Sequence, residues 1–206
     1  MKLSSAIPLV ALLFATASLS VAASDTELVI KGAITPSACE PMISGEGLID
    51  FGKMSVKQLN TDAYTSLPRE NLDFQVLCEG PTFFTFNTID NRSGTSAHNE
   101  GYHGLGMTPN GEKLGGAGFG IYQLVADGVS RRPIISTDGG VTWQRASLVS
   151  PQVLTAVATD GELAPIAVQV LKAQLSLFTH IAPSKSLTLI DEVPLDGNAT
   201  VQVNYL

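Results

Sequence analysis

Short stretches in which apolar and polar side chains alternate recur along the chain and limit its fold more than any other feature. Alternation with a period of two places one set of side chains on a buried face and the other towards solvent, as in a half-buried β-strand. The 19 glycines and 11 prolines argue against long helices, and Asp-Gly and Asn-Gly pairs favour hairpin turns. We therefore predict an all-β fold, a sandwich or a barrel. The alternating stretches are residues 28–34, 72–77, 84–87, 187–189 and 201–205.

Residues 101–120 are rich in glycine and resemble a strand least. A nucleotide-binding loop would need a strand before the glycines and a helix after them. Residues 121–125 instead have the composition of a further strand. We expect a flexible loop or a bulged edge strand across 101–120.

The first 23 residues have the pattern of a secretory signal peptide. Lys2 precedes an apolar stretch, and Val21-Ala22-Ala23 supplies the small residues that a signal peptidase recognises. A spanning helix would need about 20 continuous apolar residues, and Thr16 interrupts this stretch. We expect cleavage after Ala23, a mature domain of residues 24–206, and no membrane span in the mature chain.

The charge balance excludes one large class of partners. The chain carries 12 Lys and Arg against 19 Asp and Glu, for a net charge of -7. Binding to nucleic acid requires clustered basic residues that neutralise phosphates. We therefore expect neither nucleic acid nor an anionic membrane surface as a partner.

The chain has two cysteines, Cys39 and Cys78. In the oxidising compartment that an export signal implies, two lone cysteines are expected to pair. A zinc site is the alternative, but it needs four ligands at short spacings. We predict a Cys39–Cys78 disulfide.

Two local motifs could carry chemistry. Residues 136–143 match S-x-D-x-G-x-T-W, the Asp-box hairpin of sialidase-type propellers, and we expect a hairpin with a partly buried Trp143. His98, Glu100 and His103 are close in sequence, but two histidines five residues apart lie on opposite sides of a strand. Since no pattern groups a nucleophile with a base, we predict a non-enzymatic protein with no catalytic, cofactor-binding or metal-binding residues.

Both ends of the mature chain resemble a chaperone–usher pilin, and the chain as a whole is similar to a family of fimbrial-type proteins linked to such secretion systems. Pilins begin with a strand of the type hydrophobic-x-Gly-x-hydrophobic, followed by two cysteines some forty residues apart and an x-Phe-Gly stretch between them. They end in an alternating strand with a penultimate aromatic residue. The matching residues are Ile30-Lys31-Gly32-Ala33-Ile34, Cys39, Ile49-Asp50-Phe51-Gly52, Cys78 and Tyr205.

The resemblance implies an immunoglobulin-like, pilin-type β-sandwich that is incomplete because it lacks its last strand. A periplasmic chaperone would fill the resulting groove, and a strand from another fimbrial subunit would replace it at an outer-membrane usher. The C-terminal strand, with Val201, Val203, Tyr205 and Leu206, would flank the groove. Leu28, Ile30, Gly32 and Ile34 would form either the donor strand or the first strand of the chain's own fold.

These features predict a fimbrial structural subunit that passes through the periplasm to the cell surface, assembles by donor-strand exchange and contributes to adhesion, in some cases to a glycan. The alternative is a self-contained secreted β-sandwich that binds carbohydrate, with Trp143 as the stacking residue.

Overall fold

The structure is a computed structural model that describes residues 38–206, and in that part of the chain the regular elements are β-strands and three short 3₁₀ helices. The helices are Ser44–Gly47, Val56–Gln58 and Ser184–Ser186. The strands are β1 Cys39–Ile43, β2 Thr65–Ser66, β3 Glu70–Thr82, β4 Phe84–Asp90, β5 His103–Gly104, β6 Gly115–Ala126, β7 Val129–Ser130, β8 Arg132–Ser136, β9 Gln144–Arg145, β10 Leu148–Val149, β11 Leu154–Ala158, β12 Val168–Ile181 and β13 Ala199–Tyr205.

The strands form two antiparallel sheets, which confirms the all-β sandwich. The first sheet has the order β1-β3-β12-β6-β10, with β2 beside β12 and with β5 and β7 beside β6. The second sheet has the order β13-β4-β11-β8-β9. No helix within residues 38–206 is both long and apolar enough to cross a membrane.

The main hydrophobic core lies between the two sheets. Phe74 and Leu171 contribute from the first sheet, and Phe86 and Val157 contribute from the second. The rings of Phe74 and Phe86 meet across the interface with centroids 5.4 Å apart. Burial alternates along β3, as the period-two pattern predicts, whereas β4 is buried on both faces from Phe84 to Phe86.

The predicted disulfide between Cys39 and Cys78 is present. It joins directly opposed residues of β1 and β3, since Cys39 pairs with Cys78 in the register of the two strands. Because β1 is the edge strand of the first sheet, the disulfide fixes one end of that edge to the interior of the sheet.

The expectation of a flexible loop or a bulged edge strand across residues 101–120 is wrong from Gly115 onwards. There the chain forms β6, which is an interior strand of the first sheet. A Cβ atom at Gly118 would lie 3.0 Å from the ring of Tyr102, and one at Gly120 would lie 2.8 Å from the ring of Tyr122. Glycine thus lets these rings pack flat on the outer face of the sheet. The bulge lies further along β6, where the pairing with β12 shifts and Gln123 has a positive φ.

Residues 187–189, which alternate in sequence, are not in a strand; the chain from 187 to 198 has no regular structure. Leu187 instead packs irregularly against a second apolar cluster. The predicted signal peptide, residues 1–23, and the predicted first or donor strand, with Leu28, Ile30, Gly32 and Ile34, lie outside the described residues.

Candidate functional site

The C-terminal strand β13 is the edge of the second sheet. It pairs with β4 along its whole length, from Ala199 opposite Asp90 to Tyr205 opposite Phe84. Its other side has no backbone partner within residues 38–206. An edge of this kind presents a row of free N–H and C=O groups that can template a further strand.

A groove that has an apolar floor and exposed charged residues among its lining lies beside this open edge, between β13 and the first sheet. It consists of two adjoining cavities of about 470 Å³ and about 520 Å³, which share Ile49, Phe51 and Leu195 as lining residues. Val201 of β13 and Ile43 at the end of β1 line the first cavity, whereas Leu187 and Val193 line the second. The groove therefore extends from the edge strands into the region held by irregular chain segments.

The floor of the groove is a second hydrophobic cluster that its neighbours cover incompletely. Leu105, Leu114 and Leu177 are buried there, and the apolar side chains above them are only partly buried. Leu48, at the mouth of the first cavity, is 78% exposed. Partly buried apolar side chains of this kind release water when another apolar surface covers them. The partly buried set is Ile49, Phe51, Met54, Leu59, Leu67, Phe119, Leu187, Val193 and Leu195.

The two sheets meet near the end of the chain. The backbone N–H of Cys39 donates a hydrogen bond of 2.9 Å to the phenolic oxygen of Tyr205, and the N–H of Leu206 donates to the carbonyl of Phe83. Tyr205 thus links β13 to β1 at this end, whereas Ile43 and Val201, further along the two strands, both line the first cavity.

Two buried polar groups interrupt the apolar floor. His103 and Thr179 are each 2% exposed and line the first cavity. The His103 Nε2 and the Thr179 Oγ1 have no hydrogen-bond partner among residues 38–206. Both residues lie opposite Ala117 of β6, one from β5 and the other from β12. Burial lowers the pKa of His103 below its ordinary value, which keeps the imidazole neutral.

Of the predicted C-terminal site residues, Val201, Val203 and Tyr205 lie on β13. Val201 and Val203 pack against the main core as partly buried side chains, and the Tyr205 hydroxyl accepts a hydrogen bond from the backbone N–H of Cys39. Leu206 follows β13 and is exposed. The sequence analysis missed Leu48 and Thr179, for which no motif exists, and it treated His103 only as a possible metal ligand.

The Asp-box forms the hairpin between β8 and β9. The Asp138 carboxylate accepts hydrogen bonds from the Ser136 hydroxyl at 2.7 Å and from the N–H and hydroxyl of Thr142 at 2.9 and 2.5 Å. These bonds lower the pKa of Asp138 to about 2. The indole of Trp143 donates to the Gly140 carbonyl at 3.1 Å and packs on Ile134. Trp143 is therefore part of the hairpin's own structure, as expected from the motif.

In the described part of the chain, the histidines near residue 100 do not form a metal-binding cluster. The His98 ring is stacked between Tyr64 and Tyr102, with centroids 4.0 and 4.6 Å away, and lies 5.2 Å from the His180 ring. Burial and the neighbouring His180 lower the pKa of His98. Within residues 38–206, no three His, Cys, Asp or Glu side chains are grouped as a metal ion would require.

Comparison with known proteins places the chain in a family. The family described as "Protein of unknown function (DUF1120)" matches residues 28–103. The "Uncharacterized protein YhcF" of Escherichia coli K12 is 26% identical over 224 residues, which cover 90% of this chain and 92% of YhcF. "Protein GltF" of the same strain is 31% identical over 241 aligned residues, which cover 92% of this chain and 95% of GltF. The chain therefore belongs to the same family as GltF.

Proposed function

We propose that this protein is a non-enzymatic fimbrial-type structural subunit that assembles by accepting a β-strand from another polypeptide. One observation carries the proposal: the unpaired edge of β13 lies beside a groove whose apolar floor the neighbouring segments cover only in part. The same arrangement, an incomplete sandwich flanked by the C-terminal strand, is what the resemblance to chaperone–usher pilins implies.

The physical basis is the cost of leaving such a groove in water. Backbone groups at an open edge can gain a full ladder of hydrogen bonds from an added strand, and alternate side chains of that strand can fill the groove. Each buried apolar side chain stabilises the complex by roughly 1.5–3 kcal/mol. Both the backbone and the side chains of an inserted strand with three or four such apolar residues would therefore stabilise the complex.

The occupant that we propose is residues 28–34 of a second copy of the chain. This segment presents Leu28, Ile30, Gly32 and Ile34 on one face when it is extended. It is seven residues long, as is β13. Two strands of equal length can pair along their whole extent, so no part of the edge would stay open.

Export and assembly follow from this mode of binding. A subunit with an open groove needs protection before it meets its neighbour, and a periplasmic chaperone that lends a strand would supply it. An outer-membrane usher would then couple release of the chaperone to uptake of the next subunit. The protein would end in a surface fimbrium and contribute to adhesion.

A pair of matched variants tests the proposal. Leu48 at the groove and Val141 in the Asp-box hairpin are both exposed apolar residues, 78% and 80% exposed, so that a charge at either site should leave the core intact. We expect the exported chain to form oligomers that light scattering detects, L48E to reduce them strongly and V141E to leave them unchanged. A chain that stays monomeric at every concentration, or equal assembly of the two variants, would overturn the proposal.

A further inference from the structure

Two buried polar side chains, His103 and Thr179, lie in the floor of the groove, and their arrangement gives the groove a specific preference. His103, Ala117 and Thr179 lie in one row across β5, β6 and β12, because Ala117 is the register partner of both other residues. Side chains of directly opposed residues lie on the same face of a sheet. The row therefore consists of two polar side chains with a single methyl group between them.

The hydrogen-bonding state of this row follows from its contacts. The His103 Nδ1 lies 3.2 Å from the carbonyl oxygen of Ala117, which can only accept, so that Nδ1 carries the proton and donates. The Nε2 of a neutral imidazole is then an acceptor, and in the described part of the chain it has no partner. The Thr179 hydroxyl, which also has no partner within the residues that the structure describes, can donate and accept.

Leaving two buried polar groups unpaired is costly, since each forgoes the hydrogen bonds that it makes with water. Both residues line the cavity beside β13, and the two atoms themselves are buried, so that an inserted strand must displace the side chains above them to supply the missing partners. A hydroxyl group suits the pair best. A hydroxyl can donate to an acceptor such as the Nε2 of His103 and can accept from a donor such as the hydroxyl of Thr179, whereas an aliphatic side chain can do neither.

We propose that His103, Ala117 and Thr179 form a hydroxyl-binding notch that takes Thr26 of the incoming segment and so sets the register of the inserted strand. Thr26 is two residues before Leu28 and shares its face in an extended chain. A same-face neighbour in a strand is roughly 6.7 Å away, so Leu28 would lie in the adjoining apolar part of the groove. This inference rests on the proposed function and specifies which residue of the occupant is recognised.

The test measures binding of a fluorescently labelled peptide of residues 24–37 to the exported full-length chain by anisotropy. T26V in the peptide removes the hydroxyl on the groove face, whereas T35V removes one on the opposite face and is the matched control. We expect T26V to weaken binding by about three- to tenfold, the value of one buried hydrogen bond, and T35V to have no effect.

The protein variant T179V completes a double-mutant cycle with the peptide variant T26V. We expect T179V to weaken binding of the original peptide, to keep or raise the melting temperature of the unbound chain, and to abolish the difference between the two peptides. Binding that is insensitive to both T26V and T179V would overturn the notch while leaving strand insertion intact. Absence of binding by every peptide would instead overturn the proposed function together with the notch.

Discussion

Removal of the Cys39–Cys78 disulfide should lower the free energy of unfolding by about 4 kcal/mol. The two residues are 39 positions apart. A cross-link that closes a loop of this length lowers the conformational entropy of the unfolded chain, which raises its free energy by about 4 kcal/mol at 25 °C. For a chain of 150–250 residues, about 1 kcal/mol shifts the melting temperature by roughly 2–4 °C. The C39A/C78A variant should therefore melt about 8–16 °C below the oxidised protein.

The assay is thermal unfolding followed by circular dichroism, with urea titration as an independent measure of the free energy of unfolding. Reduction of the unmodified chain provides the control, because it removes the cross-link without the small cavity that Cys78→Ala leaves at a buried site. The reduced chain and the double variant should agree within about 1 kcal/mol. A melting temperature that changes by less than 3 °C (about 1 kcal/mol) in both would refute the loop-entropy reasoning.

Three further predictions concern the core, the histidines and the Asp-box. Phe86→Ala should lower the free energy of unfolding in urea by about 3–5 kcal/mol, because Phe86 is fully buried between the sheets; a loss below 1 kcal/mol would contradict this packing. The pKa values of His98 and His103 are lowered in the folded state, so the unfolded chain binds protons first and stability should fall as the pH drops below about 6.5. Equal melting temperatures at pH 7.5 and 5.5 would be inconsistent with this linkage. NMR titration of the Asp138 carboxyl should give a midpoint of about 2, with its contribution to stability present above the ordinary pKa and lost as the pH falls through 2; a midpoint near 4 would show that the hairpin bonds are absent in solution.

The sequence predicts the fold class well because alternation directly reports which side chains a sheet buries. Phe74 and Phe86 are in the core where their alternation places them, and Cys39 pairs with Cys78 as expected. The Asp-box predicts its own hairpin, since Ser136, Asp138 and Thr142 bind one another within seven residues. In each of these cases the structure depends on neighbours in sequence or on a single possible partner.

The exceptions depend on contacts that are distant in sequence. The glycines of β6 weaken its strand signal, yet they are required because Tyr102 packs flat on the outer face of the sheet. Leu187 alternates with its neighbours but pairs with no strand within residues 38–206, and it packs irregularly against the second apolar cluster. The polar row in the groove could not be predicted, because only the sheet register brings His103 and Thr179 to the same residue of β6.

The most direct test of strand exchange is photo-cross-linking from the groove in a mixture of ¹⁴N- and ¹⁵N-labelled chains. A photoreactive phenylalanine analogue at position 201 replaces Val201, which lines the groove on β13, and mass spectrometry identifies the partner peptide and its isotope. We predict cross-links between differently labelled chains that involve residues 24–34. Cross-links confined to equally labelled chains would show that each molecule closes its own groove and would contradict assembly by strand exchange.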